Sequence, residues 1–186
     1  MKNLEFENLS ALVVEDVPSM RLLLVQLLKE IGFSEVLTGE DGADALKNME
    51  NAPLPIDVIV CDLEMPIIGG IEFIKLLRSN SNAIIKDTPV VVVTGHSEKA
   101  NLYQAVKAGI HGFLVKPVSR KALESGVRHA LMNDPIDPAV FNKRTMTQSG
   151  KVDIPEKPVG KNENSPEINK KEIDKPQETI IKRIRK

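Results

Sequence analysis

The stretch Ile56–Pro66, IDVIVCDLEMP, joins a run of β-branched residues to two acidic side chains and a proline. A second run, Pro89–Thr94 (PVVVVT), repeats the apolar part of this pattern. Short and nearly continuous Val/Ile runs predict strands that are covered on both faces, as the central strands of a parallel sheet are. Both runs therefore predict central strands, and each leads into a polar side chain, Asp62 or Thr94.

Three further apolar runs lie on either side of this pair: Leu9–Val14 (LSALVV), Glu35–Thr38 (EVLT) and His111–Val115 (HGFLV). Helical patterns separate the five runs from one another. Five β–α units in about 130 residues predict a parallel sheet with helices on both of its faces. Because crossovers between parallel strands are right-handed, only a few arrangements of these units are possible.

The strongest helical pattern covers Pro18–Ile31. Its apolar residues recur every three or four positions and form one stripe, and Pro18 suits the first turn of a helix. Weaker helical patterns cover residues 41–51, 70–80, 97–108 and 119–132. Ser97 and Ser119 are placed to cap the last two of these helices at their N-termini, and Gly109 is placed to end the first of the two.

Composition divides the 186 residues into a folded part and a tail. The formal net charge of -1 excludes a uniformly basic nucleic-acid binder, and aromatic residues make up only 3%, which predicts an aliphatic core. Residues 133–186 hold half of the 12 prolines and few large apolar side chains. We expect one folded domain over residues 8–132 and a polar, Pro- and Lys-rich tail over residues 133–186 that is largely disordered.

The sequence also bears on the compartment. The single cysteine, Cys61, has no partner for an internal disulfide, which fits a reducing environment. Residues 1–8 lack the apolar core of a secretory signal, and no stretch is long and apolar enough to predict a membrane span. These features predict a cytoplasmic protein.

Polar side chains follow four of the five predicted strands. Glu15 and Asp16 follow the first, Asp62 the third, Thr94 ends the fourth, and Lys116 follows the fifth. Ligands of such sheets bind at the carboxyl ends of the strands, so these side chains are expected to converge. Three neighbouring carboxylates repel one another unless a cation intervenes, and Mg²⁺ is the usual cation beside phosphate. The set predicts phosphoryl transfer to Asp62, with Lys116 and Thr94 holding phosphoryl oxygens.

The motifs resemble the receiver domain of two-component response regulators, the CheY-like family. They are VVED (Val13–Asp16), CDLEMP (Cys61–Pro66), VVVTG (Val91–Gly95) and FLVKP (Phe113–Pro117), and the resemblance covers about residues 8–131. It implies a flavodoxin-like, doubly wound sheet of five parallel strands in the order 2-1-3-4-5.

The resemblance also implies roles for the acidic residues. Asp62 corresponds to the phosphoacceptor of the family. Glu15 and Asp16 correspond to the acidic pair that serves Mg²⁺, and Asp62 and the backbone carbonyl of Glu64 complete the protein ligands.

A second group of residues corresponds to the switch of the family, in which Thr94 and the aromatic Phe113 shift together after phosphorylation while Lys116 pairs with the phosphoryl group. Phe113 departs from the more common Tyr, so the switch is expected to work by packing and without a phenol hydroxyl. Glu64 and His96 occupy positions that tune the lifetime of the phosphoryl group in the family.

We interpret the chain as a stand-alone response regulator and not as an enzyme. The expected phosphodonor is a sensor histidine kinase or a histidine phosphotransfer protein, and the expected output is contact with a downstream target protein. No helix-turn-helix, P-loop or zinc motif is present, so no direct DNA binding is expected. The basic ending Glu178–Lys186 is interpreted as a solvated tail, with docking to an acidic partner, nucleic acid or a membrane surface as the alternative.

Two other functions fit part of the pattern. A phosphohydrolase of the haloacid-dehalogenase type also uses an Asp nucleophile with a second acid two residues on, as in Asp62 and Glu64. Such an enzyme places its nucleophile first and its acidic pair last along the chain, which is the opposite order. The other alternative is a receiver-like adaptor that never takes phosphate, and the presence of Asp62, Thr94 and Lys116 together argues against it.

Overall fold

The computed structural model describes residues 6–95 and 98–146, with the backbone alone for residues 143–146. Its five strands are β1 (Ser10–Val14), β2 (Glu35–Gly39), β3 (Val58–Cys61), β4 (Val90–Thr94) and β5 (Gly112–Val115). All four strand pairs are parallel, and the strand order is β2-β1-β3-β4-β5. The predicted fold class and strand order are therefore confirmed.

Seven helices surround the sheet in the described residues. They are α1 (Pro18–Ile31), α2 (Gly42–Glu50), α3 (Gly70–Arg78), α4 (Ala83–Lys86), α5 (Lys99–Ala108), α6 (Arg120–Met132) and α7 (Pro138–Met146). The sequence predicted five of them and missed α4 and α7. In the described part of the chain, none of these helices has the length and apolarity needed to cross a membrane.

The predicted helix ends have three different outcomes. Ser119 caps α6 as expected, because its side chain accepts a hydrogen bond from the backbone N–H of Ala122 at 3.2 Å. Gly109 ends α5 in the left-handed conformation with φ of 96°, which favours glycine. Ser97 lies outside the described residues, and the position before the first turn of α5 is held by Glu98, whose side chain makes no capping hydrogen bond.

Two apolar layers, one on each face of the sheet, form the core. Alternate residues of each strand point to opposite layers, so in β3 Val58 and Val60 face α1 and α6 while Ile59 and Cys61 face α2, α3 and α5. Every residue of β1, β3 and β4 is buried. This two-sided burial explains why the central strands read as continuous Val/Ile runs without alternation.

The register brings the ends of β1, β3, β4 and β5 to one edge of the sheet. Val14 lies opposite Cys61 across β1 and β3, and Thr94 lies opposite Val115 across β4 and β5. The backbone N–H of Asp62 continues the ladder by donating to the carbonyl of Val14 at 2.9 Å. The side chains that immediately follow these strands are therefore held at one rigid edge.

The chain remains folded past residue 132, where composition predicted that the tail begins. Helix α7 packs on α5, and Phe141 is only 7% exposed because it joins the layer that contains α5. The backbone N–H of Ile136 donates to the carbonyl of Ile110 at 2.8 Å and fixes the connection between α6 and α7. Residues 147–186, including the basic ending, lie outside the described residues, and their disorder stays a prediction.

This packing leads to a prediction about truncation. A chain that ends at Asn133 loses the burial of Phe141, and burial of one Phe side chain is worth about 1.5–3 kcal/mol. Its free energy of unfolding in urea should fall by that amount relative to the full chain. A chain that ends at Met146 is the matched control and should keep the full value. Equal stability of the two shortened chains would show that α7 contributes nothing to the fold.

Candidate functional site

Three carboxylates meet at the carboxyl edge of the sheet. Glu15 and Asp16 directly follow β1, Asp62 directly follows β3, and carboxylate oxygens of the three residues lie within 4.8 Å of one another. Glu15 is fully buried, Asp62 is 5% exposed, and Asp16 is half-buried. The sequence-based expectation that these three residues converge agrees with this geometry. Such closely spaced carboxylates need a compensating positive charge.

Lys116 supplies a positive charge inside this cluster. Its Nζ donates to Glu15 Oε2 at 2.8 Å and to Asp62 Oδ2 at 2.7 Å, and its side chain is 20% exposed. The backbone N–H of Lys116 donates to the carbonyl of Thr94 at 2.9 Å, which ties the start of the loop after β5 to the end of β4. One ammonium group thus bridges two buried carboxylates that follow two different strands, β1 and β3.

The pKa values reflect this mixture of burial and pairing. Burial opposes the charged form of Lys116, but the hydrogen bonds to Asp62 and Glu15 outweigh it and raise the pKa of the ammonium above its ordinary value. Burial also raises the pKa of Glu15; the hydrogen bond from Lys116 works against this shift, and the charge of Asp62 adds to it. Lys116 is therefore firmly charged, whereas Glu15 carries a desolvation cost as a carboxylate.

The Asp62 carboxylate is oriented by the backbone that follows it. Its Oδ1 accepts a hydrogen bond from the N–H of Leu63 at 2.7 Å, with the N–H of Glu64 at the longer distance of 3.5 Å, while Oδ2 faces Lys116. The N–H of Gly70, the first residue of α3, donates to the carbonyl of Leu63 at 3.0 Å and closes this loop. The two carboxylate oxygens consequently have different partners.

Close packing against α3 fixes the position of the same loop. A Cβ atom on Gly70 would overlap the backbone carbonyl oxygen of Asp62 and would lie 2.8 Å from the Cα of Leu63. Both contacts are to backbone, so no side chain can move away to relieve them. Gly70 is therefore required by the close approach of two backbone segments and not by a turn.

The predicted switch residues lie in the neighbouring strands β4 and β5. Thr94 ends β4 and is 1% exposed, while Phe113 lies in β5 opposite Val92 and is partly buried. The ring of Phe113 meets the ring of Phe141 edge-on, with centroids 6.1 Å apart. Glu64 is exposed at the rim of the site.

The structure describes only one of the two histidines at positions 96 and 111. His96 lies outside the described residues. His111 is buried, and its Nδ1 accepts a hydrogen bond from the N–H of Val90 at 3.3 Å. Burial and the nearby Arg78 lower the pKa of His111 to about 4, so it is neutral at pH 7 and serves the packing of the sheet.

Sequence reasoning missed Arg21, which holds the backbone of the acidic pair. Its guanidinium donates to the carbonyl of Glu15 at 2.7 Å and to the carbonyl of Asp16 at 3.3 Å. It also forms an ion pair with Glu40 at 2.9 Å. Arg21 lies in the first turn of α1, outside the apolar stripe. Nothing in its sequence position indicated that its side chain turns back towards the end of β1.

Comparison with known proteins identifies relatives for most of the folded part. The family model of the response regulator receiver domain matches residues 11–128. The chemotaxis protein CheY-3 of Vibrio cholerae is 30% identical over 118 residues, which cover 63% of this chain and 88% of that protein.

Solved structures with the same fold include two receiver domains. Vibrio cholerae CheY4, crystallised at low pH, is 31% identical, with a TM-score of 0.60 over 66% of this chain and 98% of that chain. The receiver domain of a sensor histidine kinase from Pseudomonas aeruginosa is 23% identical and shares the fold, with a TM-score of 0.59 over 66% of this chain and 97% of that one. That protein is described with a magnesium ion coordinated in its active-site cleft.

The close approach at Gly70 leads to a prediction about stability. Gly70→Ala forces two backbone segments apart, and overpacking of this kind costs about 1–3 kcal/mol. The matched control is Gly126→Ala. Gly126 lies inside helix α6, and a Cβ there would make ordinary contacts of 3.5 Å or more with Leu114 of β5. That change should be neutral or stabilising, because Ala favours a helix interior over Gly. Urea unfolding measures the free energy of unfolding of both variants. Equal losses of stability would contradict the claim that the close backbone approach requires glycine at position 70.

The raised pKa of Glu15 leads to a prediction about pH. A carboxyl with a raised pKa in the folded state binds a proton that the unfolded chain releases. The charged carboxylate therefore lowers the free energy of unfolding. This loss of stability is absent below the ordinary pKa of the group and fully present above the raised pKa. In chelator, Glu15→Gln should be more stable than the wild type at pH 7.5, and the difference should shrink at pH 4.5. Exposed Glu50 provides the control Glu50→Gln. A pH-independent difference measured by urea unfolding would contradict burial of the charged carboxylate as the cause.

Proposed function

Because the chain belongs to the response regulator receiver family, we propose that it is a signalling protein that accepts a phosphoryl group on Asp62. One observation carries this proposal. Asp62 lies at the carboxyl edge of the sheet with Lys116 at 2.7 Å and two further carboxylates within 4.8 Å. A nucleophile, a counter-charge and a set of oxygen ligands therefore share one small site.

The proposed reaction is a direct transfer from phosphohistidine. A carboxylate oxygen of Asp62 attacks the phosphorus and forms a P–O bond, while the P–N bond to the imidazole of the donor breaks. The electron pair of that bond remains on the imidazole nitrogen. The product is an acyl phosphate on Asp62, so the chain is a phosphoacceptor and signalling protein and not an enzyme that acts on a separate substrate.

Lys116 and Thr94 are the residues that we expect to hold the transferred group. Lys116 pairs with Asp62 before transfer, and its ammonium can follow the negative charge to a phosphoryl oxygen afterwards. Thr94 ends the strand beside β5, and its hydroxyl is the proposed donor to a second phosphoryl oxygen. Phe113 is then expected to move with Thr94, as the family resemblance implies.

The donor set fits Mg²⁺. Glu15, Asp16 and Asp62 offer carboxylate oxygens, and the backbone carbonyl of Glu64 is the proposed fourth protein ligand. Oxygen ligands and several retained waters are what Mg²⁺ prefers, and soft ligands are missing from this described cluster. When bound, the ion neutralises the negative charge that gathers on the transferring phosphoryl group. Arg21 keeps the backbone of the acidic pair in place in this proposal.

The proposed partners follow from the chemistry of the site. A sensor histidine kinase or a histidine phosphotransfer protein supplies the phosphohistidine, and a target protein recognises the phosphorylated chain. Cys61 is a buried, free cysteine, and a free cysteine fits the reducing environment of the cytoplasm that we propose for this chain.

Labelling with a small phosphodonor tests the proposal. Incubation with acetyl phosphate and Mg²⁺ should add one phosphate per chain, measured by intact mass spectrometry. Asp62→Asn removes the nucleophile and should abolish the adduct. The control is Asp57→Asn, which should still be labelled. It changes a buried carboxylate at the opposite end of β3, where Asp57 accepts a hydrogen bond from the N–H of Ser10. Excess chelator should stop labelling of the wild type, and Mg²⁺ should restore it. Wild-type labelling of Asp62→Asn would defeat the assignment.

A further inference from the structure

Helix α7 covers the side of the molecule formed by α5 and β5. Phe141 of α7 is 7% exposed and stacks on Tyr103 of α5, with ring centroids 6.4 Å apart and an angle of 18°. The same ring meets Phe113 of β5 edge-on at 6.1 Å and 81°. Phe141 thus lies between an aromatic residue of α5 and the aromatic residue that the proposed function assigns to the switch.

Local contacts hold α7 in this position. The Asp137 side chain accepts a hydrogen bond from the N–H of Ala139 at 2.8 Å, and Pro138 is the first residue of the helix, where proline is favoured. The backbone hydrogen bond from Ile136 to Ile110 anchors the preceding segment to the loop before β5. The helix therefore has its own start signal and a fixed point of attachment.

The covered side is physically connected to the candidate phosphorylation site. Phe113 and Lys116 belong to one short segment that comprises β5 and the residue after it, and Lys116 contacts Asp62 directly. Val115 of the same strand lies opposite Thr94. A movement of Thr94 and Lys116 towards a phosphoryl group consequently acts on the strand that carries Phe113.

We propose that α7 is a built-in occupant of the α5–β5 surface and that phosphorylation of Asp62 loosens it. This inference rests on the proposed function, since it takes Asp62 as the phosphoacceptor. In the unphosphorylated chain Phe113 packs against Phe141. When Phe113 turns inward beside Thr94, Phe141 loses one of the two aromatic neighbours that it has among the described residues. The surface vacated by α7 fits a partner that places an aromatic ring against Tyr103, as Phe141 does.

The coupling must act in both directions. If phosphorylation weakens the contact between Phe113 and Phe141, then removal of Phe141 must favour the phosphorylated arrangement by the same factor. The contact between two aromatic rings stabilises a structure enough to change an equilibrium constant by about two- to tenfold. This range sets the size of the expected effects.

The experiment uses the full chain with beryllofluoride and Mg²⁺ as the phosphoryl mimic. Amide hydrogen exchange in α7 should become about two- to tenfold faster when the wild type binds beryllofluoride. Phe141→Ala should bind beryllofluoride about two- to tenfold more tightly than the wild type. Val140→Ala is the matched control, because Val140 lies in the same helix with 45% exposure and should leave the affinity unchanged.

The possible outcomes separate this inference from the proposed function. Binding of beryllofluoride without faster exchange in α7, or equal affinities of Phe141→Ala and the wild type, would overturn the inference alone. Failure of the wild type to bind beryllofluoride would overturn the proposed function together with the inference. Equal tightening by Phe141→Ala and Val140→Ala would show that general destabilisation of α7, and not the aromatic contact, carries the effect, and would also overturn it.

Discussion

The ammonium group of Lys116, placed between the buried carboxylates of Glu15 and Asp62, is the interaction on which the site depends. Both carboxylates are buried, so each carries a large desolvation cost. In the described structure, Lys116 is the only cation within hydrogen-bond distance of both, and its removal would leave their charges uncompensated. The strand order makes this pairing possible. Strand β4 separates β3 from β5, and the long side chain of a lysine spans the distance from the end of β5 to residues after β1 and β3. The strand order of the sheet therefore determines which charged side chains can pair at its carboxyl edge.

The sheet fixes most of the backbone of the site, and the loops that follow its strands need support of their own. Burial on both faces of β1, β3 and β4 fixes the backbone up to the last residue of each strand, so only the first residues of the loops need separate support. Gly70 and Arg21 give that support in different ways: Gly70 allows α3 to approach the carbonyl of Asp62, and Arg21 binds the carbonyls of the acidic pair. A catalytic or signalling site on loops that leave a rigid scaffold is the common arrangement in α/β proteins.

Sequence reasoning predicted the sheet because its evidence is local: each strand is an apolar run, and the family resemblance orders the runs. It placed Glu15, Asp16, Asp62 and Lys116 at one edge because parallel strands leave no other choice. It missed α4, which has only four residues, and it missed α7 for a different reason. The average composition of residues 133–186 is polar, but two apolar residues of this segment, Ile136 and Phe141, pack against the core. Their partners, Ile110 and Phe113, lie far away in sequence, and such contacts leave no local pattern.

The nature of Phe113 explains why a covering helix is well suited to control this surface. A tyrosine at the same position has a hydroxyl that must find a hydrogen-bond partner when buried, and that partner then helps to fix its orientation. Phenylalanine has no such group, so packing alone determines whether its ring lies outward or inward. In the described structure Phe141 supplies an edge-on aromatic neighbour for this ring. Under the proposed switch, the free energy of the outward state is therefore set by α7, and a segment that composition assigns to the tail becomes part of the equilibrium that phosphorylation shifts.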